Sequence, residues 1–461
     1  MQNVPTNPRE TGNTDVLSLI GNTPLVRLTS LDTGPCELYV KLENQNPGGS
    51  IKDRIGLSMI EAAEREGKLG EGAMLIEATA GNTGLSLALV AARKGYRLLL
   101  VIPDKMSQEK IFHLRAMGAE VRMTRSDVGK GHPEYYQDLA ERLAREHSAY
   151  YVNQFNNPAN PLAHERTTGP EIQRQMQGRV DAVICGVGSG GTITGLSRFF
   201  AKASPATEIV LADPVGSVLS DYVKTGKIGN AGSWLVEGVG EDFVPSICDL
   251  SRVREAYSVS DEESFLTARA LLRREGILGG SSTGLLLAAA LRYCQAQTEP
   301  KRVVTFVCDS GNKYLSKMYN DFWMRDQGFL RGPDQGDLRD LIARKHEQVI
   351  SLTPDDTLLV AYSRMKLYDV SQLPVLEAER IVGIIDESDL LLAVHDDESA
   401  FRRSVRSTMS TKLVTVQVDR PLAEVLPLFD RGLVPIICEG STFLGLITRI
   451  DVLNYLRRKL R

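Results

Sequence analysis

A lysine stands directly behind a glycine turn in the segment Asn46-Pro47-Gly48-Gly49-Ser50-Ile51-Lys52-Asp53-Arg54. Ser50 suits a helix N-cap, and Ile51, Ile55 and Met59 recur every fourth residue, so a helix with that face buried is expected. Lys52 then lies in the first turn, where unpaired N–H groups and the positive helix end favour an anion and disfavour an ammonium. An amine that loses its proton easily can attack a carbonyl and form a Schiff base. Most helix lysines are merely solvated, so the weight falls on what accompanies this one.

Three glycine loops accompany it. Thr79-Ala80-Gly81-Asn82-Thr83-Gly84 lies between a strand and a helix and offers N–H groups and two hydroxyls suited to a carboxylate. Asn82 adds an amide able to donate to a phenolate oxygen. Gly186-Val187-Gly188-Ser189-Gly190-Gly191-Thr192 leaves an apolar strand, and its N–H groups can wrap a phosphate while Ser189 and Thr192 add hydroxyls. Gly279-Gly280-Ser281-Ser282-Thr283-Gly284 opens another helix. The second loop also satisfies G-x-G-x-x-G through Gly186, Gly188 and Gly191, with Asp213 after the next strand as a ribose contact in a dinucleotide reading. Its mid-chain place and the lack of a hydride-transfer site weigh against that. Any one of these loops is as readily a tight turn; three in one domain with such a lysine point to a bound ligand.

The elements that must position them follow from the patterning. Near-continuous apolar strands at 74–76, 97–102, 180–187 and 208–212 alternate with helices at 85–94 and 193–203. That alternation predicts parallel sheets covered on both faces. Gly328 to Asp337 gathers turn formers and reads as a linker. Beyond it the chain repeats itself: Leu373-Pro374-Val375 matches Val434-Pro435-Ile436, and Gly383 with Asp389 matches Gly445 with Asp451. Two copies of strand–helix–strand–strand–helix are expected to bury each other's apolar faces. Pro427 falls inside the second copy's first helix, where a kink or an early end is expected.

With 461 residues, two or three domains are expected. Hydrophobic residues at 42% and charged residues at 24% fit a soluble globular protein. A net charge of −4 gives no reason to expect nucleic acid or an anionic membrane as partner. The six cysteines, Cys36, Cys185, Cys248, Cys294, Cys308 and Cys438, have no disulfide or zinc spacing. Cys185 and Cys308 lie in apolar runs and read as buried thiols. The N-terminus is polar and no apolar stretch reaches membrane-spanning length, so a cytoplasmic location is expected.

The four segments, in this order, resemble the fold-type II pyridoxal phosphate enzymes, in the branch holding cystathionine β-synthase and O-acetylserine sulfhydrylase. The likeness spans residues 10–325, beginning with Ile20-Gly21-Asn22-Thr23-Pro24-Leu25 and including Asn156-Asn157-Pro158-Ala159-Asn160-Pro161. It implies an α/β fold of two open parallel-sheet subdomains, followed by a tandem α+β regulatory repeat. The implied domains are a catalytic domain at 1–327, a linker at 328–345 and repeats at 346–398 and 399–461. Lys52 is implied as the Schiff-base lysine and the carrier of the substrate Cα proton. Asn82 is implied for the cofactor's ring oxygen, Gly188, Ser189, Gly190, Gly191 and Thr192 for its phosphate, and Ser281 for its pyridine nitrogen. Thr79, Ala80, Gly81, Thr83, Gln154 and Gly238 are implied for the substrate. A hydroxyl at the ring nitrogen does not enforce a pyridinium as a carboxylate would, which suits β-replacement.

Within that branch, Pro47-Gly48-Gly49-Ser50, Glu237-Gly238-Val239-Gly240-Glu241-Asp242 and Lys313-Tyr314-Leu315-Ser316-Lys317 resemble the synthases. So does the C-terminal repeat, a Bateman module. The resemblance therefore implies condensation of L-serine with L-homocysteine to cystathionine, a transsulfuration step toward cysteine. Glu165 points the other way, standing where animal synthases carry tyrosine and sulfhydrylases often glutamate. A sulfhydrylase making cysteine is the alternative enzyme, and a catalytically dead adenosyl-ligand sensor the alternative of another class. Residues 1–20 hold no cysteine or histidine, so no heme is expected. His164 reads as structural. Gly445-Leu446-Ile447-Thr448-Arg449-Ile450-Asp451 keeps an adenosine-site pattern through Thr448 and Asp451, whereas the first copy has Asp386 in place of the threonine. A homodimer or higher homo-oligomer is implied.

Overall fold

The computed structural model describes residues 15–79, 81–104, 108–129, 131–330, 338–342, 350–395 and 397–459. Ala80, the first fourteen residues and 331–337 of the expected linker lie outside them. The chain divides into two compact units, Met1–Met318 and Tyr319–Arg461.

The first unit holds two sheets. Strands β1 (Leu25–Arg27) and β2 (Glu37–Leu42) precede β3 (Met74–Ala78), β4 (Arg97–Pro103), β5 (Glu120–Thr124) and β6 (Tyr150–Tyr151). Then come β7 (Ala182–Gly186), β8 (Glu208–Pro214), β9 (Val253–Val259) and β10 (Arg302–Val307). The smaller sheet has the order β5-β4-β3-β6, all parallel. The larger runs β1-β2-β10-β7-β8-β9, parallel except for the β1–β2 pair. The apolar strands predicted from sequence are all present, and strands such as β4 are buried on both faces, as parallel sheets under helices require.

Four helices start at the chemistry-bearing segments: α1 (Lys52–Arg65), α2 (Asn82–Lys94), α3 (Gly191–Ala203) and α4 (Ser281–Gln295). Ser50 does not cap α1 in the expected way. The cap is Ile51, and the Ser50 hydroxyl instead accepts from Lys52 N at 3.3 Å. The reason is that the backbone at Ser50 is drawn into a bridge with Asp309. α1 and α2 cross closely because Gly56 is bare: a Cβ there would stand 2.1 Å from Ser86 Oγ. A mid-helix glycine costs about 1 kcal/mol against alanine, so this packing offsets a local penalty.

Beneath α1 lies a buried charge cluster. Arg54 binds Glu43 at 2.7 Å and Glu171 at 2.7 Å, and Lys41 binds Glu171 at 2.8 Å. It ties the α1 helix, β2 and the helix Gly169–Gln175 together just below Lys52.

In the second unit each copy contributes an antiparallel pair, β11 (Gln372–Glu377) with β12 (Arg380–Asp386), and β14 (Ile436–Glu439) with β15 (Thr442–Leu446). β13 (Thr415–Gln417) adds a parallel strand beside β14. Leu352 makes only an isolated bridge to Val375 in the first copy. Pro427 splits the second copy's first helix: a 3₁₀ turn at Leu422–Glu424 gives way to a helix at Leu426–Asp430. The proline sits in that helix's first turn, where its missing N–H costs nothing.

Candidate active site

The C-terminal end of β10 gathers the site. Ile51 N donates to Cys308 O at 2.8 Å, Ser310 N to Gly49 O at 3.3 Å, and Gly280 N to Asp309 O at 3.1 Å. The turn before Lys52 and the loop before Ser281 are thereby fixed on one short segment, Cys308–Ser310. Lys52 is half-buried at this junction, and burial pulls its pKa below the usual lysine value. Cys308, Asp309 and Glu241 oppose that shift. Among the described residues its ammonium has no hydrogen-bond partner.

Asp309 is fully buried and joins the next two groups. Its Oδ2 accepts from Asn82 Nδ2 at 2.8 Å and from the Tyr314 hydroxyl at 2.8 Å, while Oδ1 has no partner among the described residues. Lys313 Nζ donates to Asn82 Oδ1 at 2.8 Å. Ser281 begins α4, and its hydroxyl accepts from Glu237 N at 3.0 Å. Glu237 is clamped between Lys110 and Lys317, the latter at 2.7 Å.

On the other side, Thr83 donates to Gln154 Oε1 at 2.7 Å, and Thr79 Oγ1 accepts from Gly81 N at 3.1 Å. Asn160 Nδ2 reaches both Gln154 O (2.8 Å) and Ser189 Oγ (2.9 Å), linking the Gln154 segment to the Gly188–Thr192 loop. Thr192 meets His164 Nε2 at 3.2 Å, and His164 Nδ1 meets Thr168 at 2.9 Å. Burial, with help from Arg54 and Lys52, pushes the His164 pKa down to about 3, so the ring is neutral and serves as a buried spacer.

The Gly188–Thr192 cradle fits a phosphate. A Cβ on Gly188 would lie 2.7 Å from Gly238 O, and one on Gly191 1.8 Å from Asn160 Oδ1. Gly190 caps α3 at φ +88°, a conformation that favours glycine. The first-turn N–H groups of α3 have no acceptors within the helix and are free for an anion. Lys52 then supplies the amine that a carbonyl-bearing cofactor needs. Lys52, Asn82, Thr79, Gly81, Thr83, Gln154, Ser189, Thr192, Gly238 and Ser281 therefore form one connected site, while Ala80 lies outside the described residues. Thr448 and Asp451 belong to the second unit, where Asp451 Oδ2 accepts from Thr448 N at 2.6 Å and Thr448 Oγ1 at 2.5 Å.

Two sequence readings need correction. Cys308 is half-buried beside Lys52 rather than fully buried like Cys185, because it follows the last residue of β10 at the site. Burial raises its thiol to about 12, so it stays protonated. Glu165 does not face the site: its carboxylate pairs with Lys202 at 2.7 Å. Lys202 is ten residues along α3 from Thr192, about 15 Å at the helical rise. Asp213, the ribose contact of the dinucleotide reading, accepts Ser220 N at 2.8 Å and is fully buried. Asp309, Lys313, Tyr314 and Glu237 were not assigned roles from sequence. The signal for Asp309 and Lys313 was the polar run Asp309-Ser310-Gly311-Asn312-Lys313 at the carboxyl end of a buried parallel strand, where α/β sheets bind ligands.

Among the described residues no helix is long and apolar enough to cross a membrane, and no three His, Cys, Asp or Glu side chains cluster as a metal site.

Comparison with known proteins agrees with this arrangement. Residues 16–309 match the pyridoxal-phosphate dependent enzyme family, and residues 338–396 and 404–458 each match a CBS domain. Cystathionine beta-synthase of Dictyostelium discoideum is 34% identical over 96% of this chain and 92% of its own. The Saccharomyces cerevisiae cystathionine beta-synthase is 32% identical over 96% and 97%. A hydrogen sulfide-producing enzyme from Fusobacterium nucleatum superposes with a TM-score of 0.62 at 38% identity, over 66% of this chain and 100% of that one. With its lysine, its glycine cradle and its paired C-terminal repeats accounted for, the chain belongs to the cystathionine β-synthase family of pyridoxal-phosphate dependent enzymes.

Proposed function

We propose that the catalytic unit condenses L-serine with L-homocysteine to L-cystathionine and water, with Lys52 holding pyridoxal phosphate. The observation that carries the proposal is the junction at Cys308–Ser310, which brings the half-buried Lys52, Asn82 and Ser281 to one place. Bound there, the cofactor supplies the electron sink that lets the serine Cα lose its proton.

The residues divide the remaining work. Gly188 to Thr192 would hold the phosphate, Asn82 would donate to the ring oxygen, and the Ser281 hydroxyl would serve the ring nitrogen. Thr79, Gly81, Thr83 and Gln154 receive the substrate carboxylate, with Gly238 on the facing loop. Lys52, whose pKa burial depresses, moves the proton at Cα. The Cβ–O bond of serine breaks, a Cβ–S bond to homocysteine forms, and the hydroxyl leaves as water with the thiol proton. His164, neutral and engaged on both nitrogens, is not needed as a base.

The sulfhydrylase alternative rested on Glu165, and its pairing with Lys202 removes that support. In the second unit, the CBS pair binds an adenosyl ligand near Thr448 and Asp451, and the enzyme works as a cytoplasmic homo-oligomer. The test supplies cofactor-saturated protein with L-serine and L-homocysteine, and in parallel with O-acetylserine and sulfide. Cystathionine as the main product of the first mixture supports the reading. Cysteine from the second with no cystathionine from the first would overturn it.

A further inference from the structure

Asn82 has two chemically different ends of nearly the same shape, and its neighbours decide which end faces where. Lys313 Nζ donates to Oδ1 at 2.8 Å, and Asp309 Oδ2 accepts from Nδ2 at 2.8 Å. A turned amide would set its NH₂ against an ammonium and its carbonyl against a carboxylate. Both neighbours are themselves anchored. Lys313 also donates to Gly49 O at 3.3 Å, three residues before Lys52, and Asp309 is held by Tyr314 and by the backbone bridge to Ser50. One N–H of Asn82 is left without a partner among the described residues.

We infer that Lys313 and Asp309 are positioning residues that fix the Asn82 amide with its remaining N–H turned to the cofactor's ring oxygen. This rests on the reading of Asn82 given above. Charged partners make the stronger hydrogen bonds, so they can hold an amide that would otherwise sample both orientations. The lysine also couples two loops: the same ammonium holds the glycine turn before Lys52 and the amide that addresses the ring.

The test uses full-length Asn82→Ala, Lys313→Met, Lys313→Arg and the Asn82→Ala/Lys313→Met double variant, with thermal melts to confirm folding. Two readouts are taken: the dissociation constant of pyridoxal phosphate, and the ratio of the bound cofactor's two absorption bands, which reports the protonation of its ring oxygen and imine. Asn82→Ala is expected to weaken the cofactor about tenfold, as loss of a hydrogen bond to a charged group does. Lys313→Met shifts the band ratio the same way, Lys313→Arg restores part of it, and the double variant is no worse than Asn82→Ala. A Lys313→Met protein with the native band ratio, even one that melts lower, overturns the inference, as do effects that simply add. An unchanged Asn82→Ala protein overturns the reading of Asn82 itself, and the inference with it.

Discussion

Glu77 offers a sharp test of the electrostatics under the site. It lies near the end of β3, fully buried, with its oxygens accepting from Ala78 N at 3.0 Å and Gln154 N at 3.2 Å. Burial raises its pKa to about 8 from 4.5, against the lowering effect of backbone donors from Gln154, Ala78 and Asn153. The folded protein therefore binds a proton that the unfolded chain releases above its own pKa. Stability from this group is complete at acid pH and is lost as pH rises from the unfolded pKa toward the folded one. Between pH 6 and pH 8 the loss is about 2 kcal/mol. For a unit of this size that is about 3 °C in melting temperature. Asp53, raised to about 7, and Asp213, raised to about 6, both by burial, add to the native slope in the same direction. The comparison that isolates Glu77 is the melting temperature of the catalytic unit's transition in wild type and Glu77→Gln across this window. The variant is expected to lose stability at acid pH, since its amide meets an N–H donor, and to show a slope shallower by about 3 °C. Parallel pH curves would refute the reasoning.

Other outcomes follow from the same geometry. Arg54→Leu leaves Glu43 a buried carboxylate without its ion-pair partner and Glu171 with Lys41 alone, and should cost about 3–5 kcal/mol, read as a large fall in melting temperature. Gly191→Ala drives a methyl group onto Asn160, and cofactor titration should show weaker binding in a protein that still folds; native affinity would contradict the cradle. Glu165→Ala removes an outward pair worth less than about 1 kcal/mol, so stability and the cystathionine-to-cysteine product ratio should both hold. A changed ratio would restore Glu165 as a specificity residue.

The placement of Lys52 and the glycine loops at helix starts was legible from helical periodicity after apolar strands, and because only glycine fits at positions such as 190 and 191. The strands at 74, 97, 182 and 208 were legible from continuous apolar runs. What could not be read was the strand order. β10 lies between β2 and β7, and Asp309 and Lys313 beyond its end meet Asn82, which follows a strand of the other sheet, across more than two hundred residues. The Ser50 cap failed for the same reason, since the bridge to Asp309 is a long-range contact that overrides local capping. Glu165 misled because the sequence gives its place in the chain but not the direction of its side chain. The Pro427 break was readable, whereas its use as a helix start depended on the preceding 3₁₀ turn.

The central claim is that Lys52 holds the cofactor covalently. Borohydride reduction of the cofactor-loaded protein, followed by digestion and mass spectrometry of the peptides, tests it most directly. The account predicts the reduced pyridoxyl mass on the peptide containing Lys52, and no such adduct in Lys52→Ala. A pyridoxyl group carried by another lysine, or the same labelling in Lys52→Ala, would contradict it.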